Sequence, residues 1–313
     1  MIIEENVPLA DKNWFRTGGP ARYFAQPTNA DEFKEALIFA KDNNLKLVVL
    51  GLGANVLISD EGIDGLVIRP AMKEISLVKE NAADGFVKAG AGVTIHQLIE
   101  WCLDHNLVGL EEFSAIPGTV GGSVYNNLHY FDYSLSDFVV GGEIIHKDTY
   151  KIETVDKEWF GFGYDQSRLH DHSYFLLSAT FRVKKGDDLA VAFARGRRAE
   201  ITRHRIKRYP MAYTCGCFFR NFKPDEVKLE INGKKAVWVG YYLDKLGYKG
   251  TLCVNDACIS SQHANMIVHT GKATSADIVE LARKMQEGVK KEFGVVPQPE
   301  CLLLGFKEFP LIQ

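Results

Sequence analysis

The sequence predicts an α+β protein made of three small domains, on three observations. A length of 313 residues exceeds what one hydrophobic core usually organises. Apolar residues switch along the chain between helical spacing and short extended runs, with no internal repeat and no low-complexity stretch. The composition, 46% hydrophobic and 25% charged, is that of a folded chain and excludes a disordered one.

The elements follow in order. Asn29 or Asp31 caps a helix whose apolar positions are Phe33, Ala36, Leu37, Phe39 and Ala40, and the polar turn KDNN then leads into a strand over 45–50. A second strand covers 65–69, and ISLVKENAADGFVKAGAGV from 75 onward reads as strand, turn, strand. A helix of about ten residues starts at Thr94 and runs through His96, Leu98, Ile99, Cys102 and Leu103. Residues 110–133 are rich in glycine, serine and aromatics without a sustained period, and predict a backbone held by turns. Strands resume over 137–146 and 174–184, a helix covers 187–204, and the remainder offers a helix, short strands and a last helix over 275–293. Boundaries near 70 and 190, the latter at the charged stretch KKGDDLA, divide the chain into 1–70, 71–190 and 191–313.

Charge narrows the function. The formal net charge is -3, from 37 basic and 40 acidic residues that are interleaved, so a nucleic-acid reader is disfavoured. The opening MIIEENVPLADKNW carries acids where a signal peptide has basic residues, and no apolar run approaches the roughly 18 residues of a membrane span. A cytoplasmic monomer is expected. Six cysteines in a chain of this length do not make a disulfide scaffold and suit a reducing compartment. No metal is expected: Cys215, Cys217, Cys253 and Cys258 lack paired CxxC spacing and interspersed histidines. A redox pair of Cys215 and Cys217 would be strained by the single intervening residue. The basic cluster from Arg195 to Arg208 admits two readings, a solvated helix face or a pocket for ligand phosphates.

Two glycine-bearing segments stand out. In GLGANVLISD, from Gly51, a strongly apolar strand runs into Gly51, Leu52, Gly53, Ala54, Asn55 and Val56, and the glycines leave amide hydrogens uncovered in a way that suits a pyrophosphate. It is not the GxGxxG fingerprint followed by a helix, which disfavours an ordinary nicotinamide-binding domain. In IPGTVGGSV, Pro117 fixes the backbone after Ile116 and before Gly118 and Thr119, while Gly121 and Gly122, ahead of Ser123, permit a close backbone approach. With KAGAGV at 88–93, these are the bare-backbone patches that one extended anionic cofactor needs.

Taken together, these motifs resemble the UDP-N-acetylenolpyruvoylglucosamine reductase family, in its shorter form. NVPLADKNWFRTGGPARYFAQP is similar to that family's N-terminal signature, 51–60 to its first flavin loop and 116–122 to its second. FGYDQS at 162–167, TCGCFFRN at 214–221, SSQHANMIVHTGKAT at 260–274 and the late Glu300 follow in family order, so the resemblance spans nearly the whole chain. It implies an FAD cradle of the vanillyl-alcohol-oxidase type made by the first two domains, with an α+β third domain that closes over substrate. It also implies FAD as cofactor, NADPH as hydride donor and a UDP-linked enolpyruvyl aminosugar as substrate.

By that resemblance Cys217 stands where the family has the serine that protonates the α carbon, and a thiol gives up a proton more readily than a hydroxyl. A small buried hydrophobe is the plainer reading of the same cysteine. Glu300 matches the glutamate that helps stabilise the intermediate, a role that as hydrogen-bond donor requires the protonated acid. Tyr164 belongs with Ser167 to the FGYxxS motif. Gly216, Arg220 and Asn221 match substrate-side positions, and Arg208 matches a basic position near ligand phosphates or nicotinamide. His263 and Asn265 match the HAN sequence, in a shaping role.

Two departures mark this chain. The family arginine after the FGY tyrosine is Asp165 here, an anion beside a developing negative charge, and Arg168 is the candidate to replace it. After the second loop, bulky Leu128, His129, Tyr130 and Phe131 replace small residues. These changes leave open a divergent FAD-dependent oxidoreductase acting on another nucleotide sugar or small acid, or a non-catalytic flavin-binding protein.

Overall fold

The structure is a computed structural model describing residues 1–313, and the chain folds as two compact units. The first comprises Met1–Glu5, Tyr23–Leu52 and Gly65–Arg205, the second Asn6–Arg22, Gly53–Asp64 and Ile206–Gln313. The expected boundary at 70 falls inside the first unit. That at 190 falls in a helix which continues to Arg208.

In the first unit, α1 (Ala30–Asp42) begins at Asn29, whose side chain accepts the Glu32 amide, and buries Phe33, Ala36, Leu37 and Ala40. The following strand, Lys46–Val49, pairs parallel with Ile63–Ile68 from Gly65 onward. A larger antiparallel sheet runs in the order Ile152–Asp156, Val139–His146, Tyr174–Lys185, Asp84–Gly90, Ile75–Glu80. Its core is closed by α2 (Ile95–Asp104), which starts at a capping box made by Thr94 and Gln97 and contributes Ile95, Leu98, Ile99, Cys102 and Leu103.

The segment 110–133 departs from the expectation of turns alone. It holds a short 3₁₀ turn and then α3 (Val120–Tyr125), so Gly121 and Gly122 are helical and the open backbone is confined to 117–119. Thr119 decides this, because its hydroxyl caps the helix by accepting the Gly122 amide at 3.2 Å. α4 (Asp188–Arg208), begun by the Asp187 carboxylate accepting the Ala190 amide, belongs to this unit as far as Arg205.

The second unit packs α5 (Val239–Lys245) and α6 (Ser275–Phe293) around a core that includes Phe15, Phe218, Phe219, Tyr242, Leu281 and Met285. Periodicity located α6 to the residue because its cap is local: Thr274 and Asp277 form a capping box and Gly294 closes the helix in the left-handed region. Asp60, the last residue of the first glycine segment, places its carboxylate on the Ser275 and Ala276 amides at 2.9 Å each, an anion at a helix N-terminus.

The cysteines correct one expectation. Cys253 and Cys258 face each other on adjacent antiparallel strands and form a disulfide, which leaves Cys102, Cys215, Cys217 and Cys301 as thiols. Sequence spacing missed it because the pairing comes from strand register, which a short hairpin sets. Alkylation of the denatured, unreduced protein should modify the four thiols and, after reduction, all six cysteines, read by mass shift. Six modified residues without reduction would contradict the bridge.

Candidate functional site

The first glycine segment leaves the strand Lys46–Val49 after Leu50, whose amide is fixed on the Ile68 carbonyl at 2.8 Å. Within the first unit, Gly51 lies against the second glycine segment: a Cβ there would sit 2.6 Å from the Thr119 hydroxyl oxygen. The two turns, far apart in sequence, are therefore in contact. Ile95 and Val120 donate to the Gly118 and Val93 carbonyls, pinning 117–119 beside the start of α2. The amides of Gly51, Leu52, Gly118 and Thr119 find no acceptor in the protein. Such amides at bare backbone are donors for an anionic ligand.

In the second unit the same segment continues through Gly53. That residue has φ +66, and a Cβ on it would come within 2.7 Å of the Asn13 backbone, so only glycine fits. The Gly53 carbonyl accepts the Trp14 amide at 3.0 Å, while Asn13 donates its side-chain amide to the Leu9 and Thr17 carbonyls. Asn13 Oδ1 remains buried with no donor. The amides of Ala54 and Asn55 also lack acceptors.

From Asn55 the chain enters the buried strand Val56–Ile58, which pairs parallel with Leu302–Leu304. The Asn55 carbonyl takes the Leu302 amide at 3.0 Å. Two residues before Leu302 is Glu300, whose amide donates to the Phe218 carbonyl at 2.8 Å, and Phe218 follows Cys217. Backbone bonds thus bring the end of the first glycine segment, Glu300 and Cys217 onto adjoining segments of one unit, though they lie far apart in sequence.

Cys217 is half-buried and follows Gly216, whose φ of +86 turns the chain and whose amide bonds the Thr214 hydroxyl at 3.2 Å. Asn265 clamps the next residues. Its carbonyl accepts the Phe218 amide, and its side chain exchanges two hydrogen bonds with the Phe219 backbone. Glu300 is half-buried between Pro299 and buried Cys301. Cys215 does not pair with Cys217: its thiol contacts that of Cys301, and burial first, then this neighbour, pushes it well above the usual thiol range. It is a packing residue, not a nucleophile.

His263 is pushed down to about 4, first by burial and then by the charges of Arg208 and Lys249. Its Nδ1 accepts the Asn265 amide at 3.3 Å, so the neutral ring shapes the turn. Arg220 has both terminal nitrogens on the Glu226 carboxylate, at 2.9 and 2.7 Å, and that pairing holds Glu226 down at about 2. Arg208 lies over the Tyr209 ring.

In the first unit the basic cluster resolves largely to the plainer of its two readings. Arg195 pairs with Glu100 and Asp104, Arg197 takes Glu112 in a two-pronged contact, and Arg198 pairs with Glu100. Arg168 lies over the Trp159 ring at 5.1 Å. Asp165 instead meets His129, its Oδ1 at 3.3 Å from Nδ1, and the Tyr164 ring lies 4.7 Å from the same imidazole. Ser167 anchors this turn through its hydroxyl on the Tyr125 carbonyl, and Asn127 donates to the Gly163 carbonyl.

Comparison with known proteins agrees with this geometry over the whole chain. Residues 21–153 match the family model for an FAD binding domain, and 208–304 match that for the UDP-N-acetylenolpyruvoylglucosamine reductase C-terminal domain. A UDP-N-acetylenolpyruvoylglucosamine reductase of Caldicellulosiruptor saccharolyticus is 32% identical over 310 residues, covering 99% of this chain and 94% of the relative. One of Parasynechococcus marenigrum is 33% identical, with 98% of each covered. The chain belongs to the UDP-N-acetylenolpyruvoylglucosamine reductase family. A crystal structure of the family enzyme (MurB) from Thermus caldophilus superposes with a TM-score of 0.77 at 29% identity, covering 97% of this chain and 99% of that one.

The residues fit the family's cofactor. In the first unit, amides without acceptors at 51–52 and 118–119 suit the diphosphate of FAD; in the second, those at 54–55 are donors for an anion, and the buried Asn13 Oδ1 is an acceptor for a hydroxyl or N–H. Sequence reasoning missed Asn13, although it sits inside the N-terminal signature. It also treated His129 and Asp165 as separate departures, which the fold brings into contact.

Two outcomes follow. Gly53→Ala should cost about 1–3 kcal/mol through the left-handed backbone and leave the purified protein depleted of flavin, measured by the ratio of flavin to protein absorbance. Because the folded His263 sits below its unfolded value, stability is full above the unfolded range and falls as pH drops from about 6.5 toward 4, by about 2–3 kcal/mol. Chemical denaturation at stepped pH should show this loss, and His263→Gln should lack that component.

Proposed function

We propose that this protein catalyses the FAD-dependent reduction of UDP-N-acetylglucosamine enolpyruvate to UDP-N-acetylmuramate, a step of peptidoglycan precursor synthesis, with NADPH as the hydride donor, in the cytoplasm. The observation that carries the reading is the backbone ladder joining Cys217–Phe218, Glu300 and Asn55, within a chain matched to the family along its whole length. No helix is long and apolar enough to cross a membrane.

Bound FAD would supply hydride to the enolpyruvyl double bond. Residues 51–56 and 116–123 are the proposed cradle, holding the diphosphate through main-chain N–H groups. The protein's remaining work is to hold negative charge beside the substrate carboxylate and to deliver one proton. Cys217 is the proposed proton donor, since a half-buried thiol ordinarily stays protonated near neutrality and yields its proton more easily than a serine hydroxyl. Glu300, held beside the Cys217–Phe218 segment by its amide bond to the Phe218 carbonyl, is the proposed partner that stabilises the charge while protonated. Tyr164, Arg208, Gly216, Asn221 and His263 are proposed on the substrate side. Arg220, already committed to Glu226, is proposed to shape that side through the turn it closes.

An anaerobic experiment tests this. The NADPH-reduced, bleached protein should recover its yellow colour when UDP-N-acetylglucosamine enolpyruvate is added. Cys217→Ala should slow that recovery by about a hundredfold or more, with Cys217→Ser much closer to wild type. Bleaching without recovery would point instead to an oxidoreductase with another acceptor.

A further inference from the structure

The disulfide of the second unit is the one covalent cross-link in the chain, and no part of the reduction stated above uses it. Cys253 and Cys258 lie on the strands Cys253–Val254 and Ala257–Ile259, joined by a two-residue turn whose Asn255 has φ +50. Val254 faces Ala257, and the Ile259 amide donates to the Leu252 carbonyl at 3.0 Å. The cysteines therefore fall at the non-hydrogen-bonded pair in between, where cross-strand side chains approach most closely. Other bonds close the hairpin without them. Asp256 in the turn accepts the Thr270 and Lys272 amides at 3.0 and 2.8 Å and the Thr270 hydroxyl at 2.8 Å, and Asn255 donates to Asp277 at 2.6 Å. A bridge between residues five apart removes little chain entropy from the unfolded protein, so it is a weak staple. It is also reachable: Cys253 is exposed, while Cys258 is half-buried. Exposed bridges are the reducible ones, and in compartments that keep thiols reduced they serve as redox sensors.

A short path leads from the hairpin to the candidate site. Ala257–Ile259 pairs with Ile267–Val268, with Cys258 opposite Val268 and Ile259 opposite Ile267. The Ser260 amide then donates to the Met266 carbonyl at 2.8 Å, and Met266 is bridged to Cys217. Asn265, beside it, holds the Phe218 and Phe219 backbone. Each of these strands is only two or three residues long, so few ladder bonds resist local opening and a covalent link across the outer pair stiffens the sheet. We propose that Cys253–Cys258 is a redox switch, opened by a dithiol and closed by a disulfide oxidant, whose state sets how accessible the Cys217 thiol is. In the opening step the thiolate of the dithiol attacks the Cys253 sulfur, the S–S bond breaks, and Cys258 leaves as a thiolate that takes up a proton. The second thiol of the reductant then attacks its own mixed disulfide and frees Cys253, so two electrons pass to the protein and the reductant departs as a disulfide. Closure is the reverse exchange. Freed of the bridge, the outer strand opens more often, and Met266 and Asn265 hold the Cys217 segment less firmly. The switch acts on the thiol assigned above as proton donor, and its test reads thiols rather than turnover, so it stands or falls independently of the reduction.

The native protein would be treated with dithiothreitol or left untreated, freed of reductant without air, and pulsed with iodoacetamide, each cysteine being read separately by peptide mass spectrometry. Dithiothreitol at about 1 mM should open the bridge without denaturant. Alkylation of Cys217 should then run about five times faster or more, while buried Cys301 in the same unit stays protected. Oxidised glutathione should re-form the bridge and restore the slow rate. Cys253→Ser combined with Cys258→Ser should alkylate Cys217 at the fast rate and ignore dithiothreitol. Reduction that requires denaturant would overturn the switch, as would a Cys217 rate unchanged by reduction. A parallel rise at Cys217 and Cys301 would also overturn it, since the bridge would then be a staple for the whole unit.

Discussion

The Glu300 amide reaches the Phe218 carbonyl, and the Leu302 amide reaches the Asn55 carbonyl, so one short stretch of chain near the C-terminus is bonded on two sides. Through these bonds the first glycine segment, the glutamate and the cysteine become neighbours in the second unit. The burial around them makes the arrangement stiff. Phe218 and Phe219 are fully buried, the strand Val56–Ile58 is buried throughout, and Asn265 meets the backbone donors and acceptors that a buried irregular strand would otherwise leave unpaired. Loss of any of these backbone bonds would leave a buried amide or carbonyl without a partner, at a cost of about 1–3 kcal/mol, so the geometry of the site and the stability of the unit are coupled.

Glycine has two distinct uses here. Gly53 and Gly216 have a positive φ, at one to pass Asn13 and at the other to turn the chain between buried Cys215 and half-buried Cys217. At Gly51 the need is distance, because any side chain would strike Thr119. Around Gly51 and Gly53 neighbouring amides are left without acceptors, the feature for which the sequence suggested a cofactor loop. Gly121 and Gly122 looked the same in sequence yet fold into α3, since the Thr119 cap gives their backbone a helical alternative.

Charge tells the opposite story. Glu100, Asp104 and Glu112 take up arginines of the basic cluster for which a phosphate pocket was one of two readings, and Glu226 takes Arg220, which the family resemblance set on the substrate side. These pairings join residues up to about a hundred positions apart, such as Arg198 with His96 and Glu100, so no local pattern announces them. The same holds for His129 and Asp165, which sequence comparison sets down as two departures and the fold joins into one contact.

By itself the sequence determined the helices with local caps, the positions of the glycine turns and, through ordered motifs, the family and its chemistry. These depend on interactions within a few residues, or on residue identities that survive as a pattern. Only the tertiary structure decided which turns touch, that Cys215 packs on Cys301 while Cys253 bonds Cys258, and which arginines are already neutralised. Each of those outcomes is set by strand register and by contacts between distant segments, and register is a property of the folded sheet that neither strand carries alone.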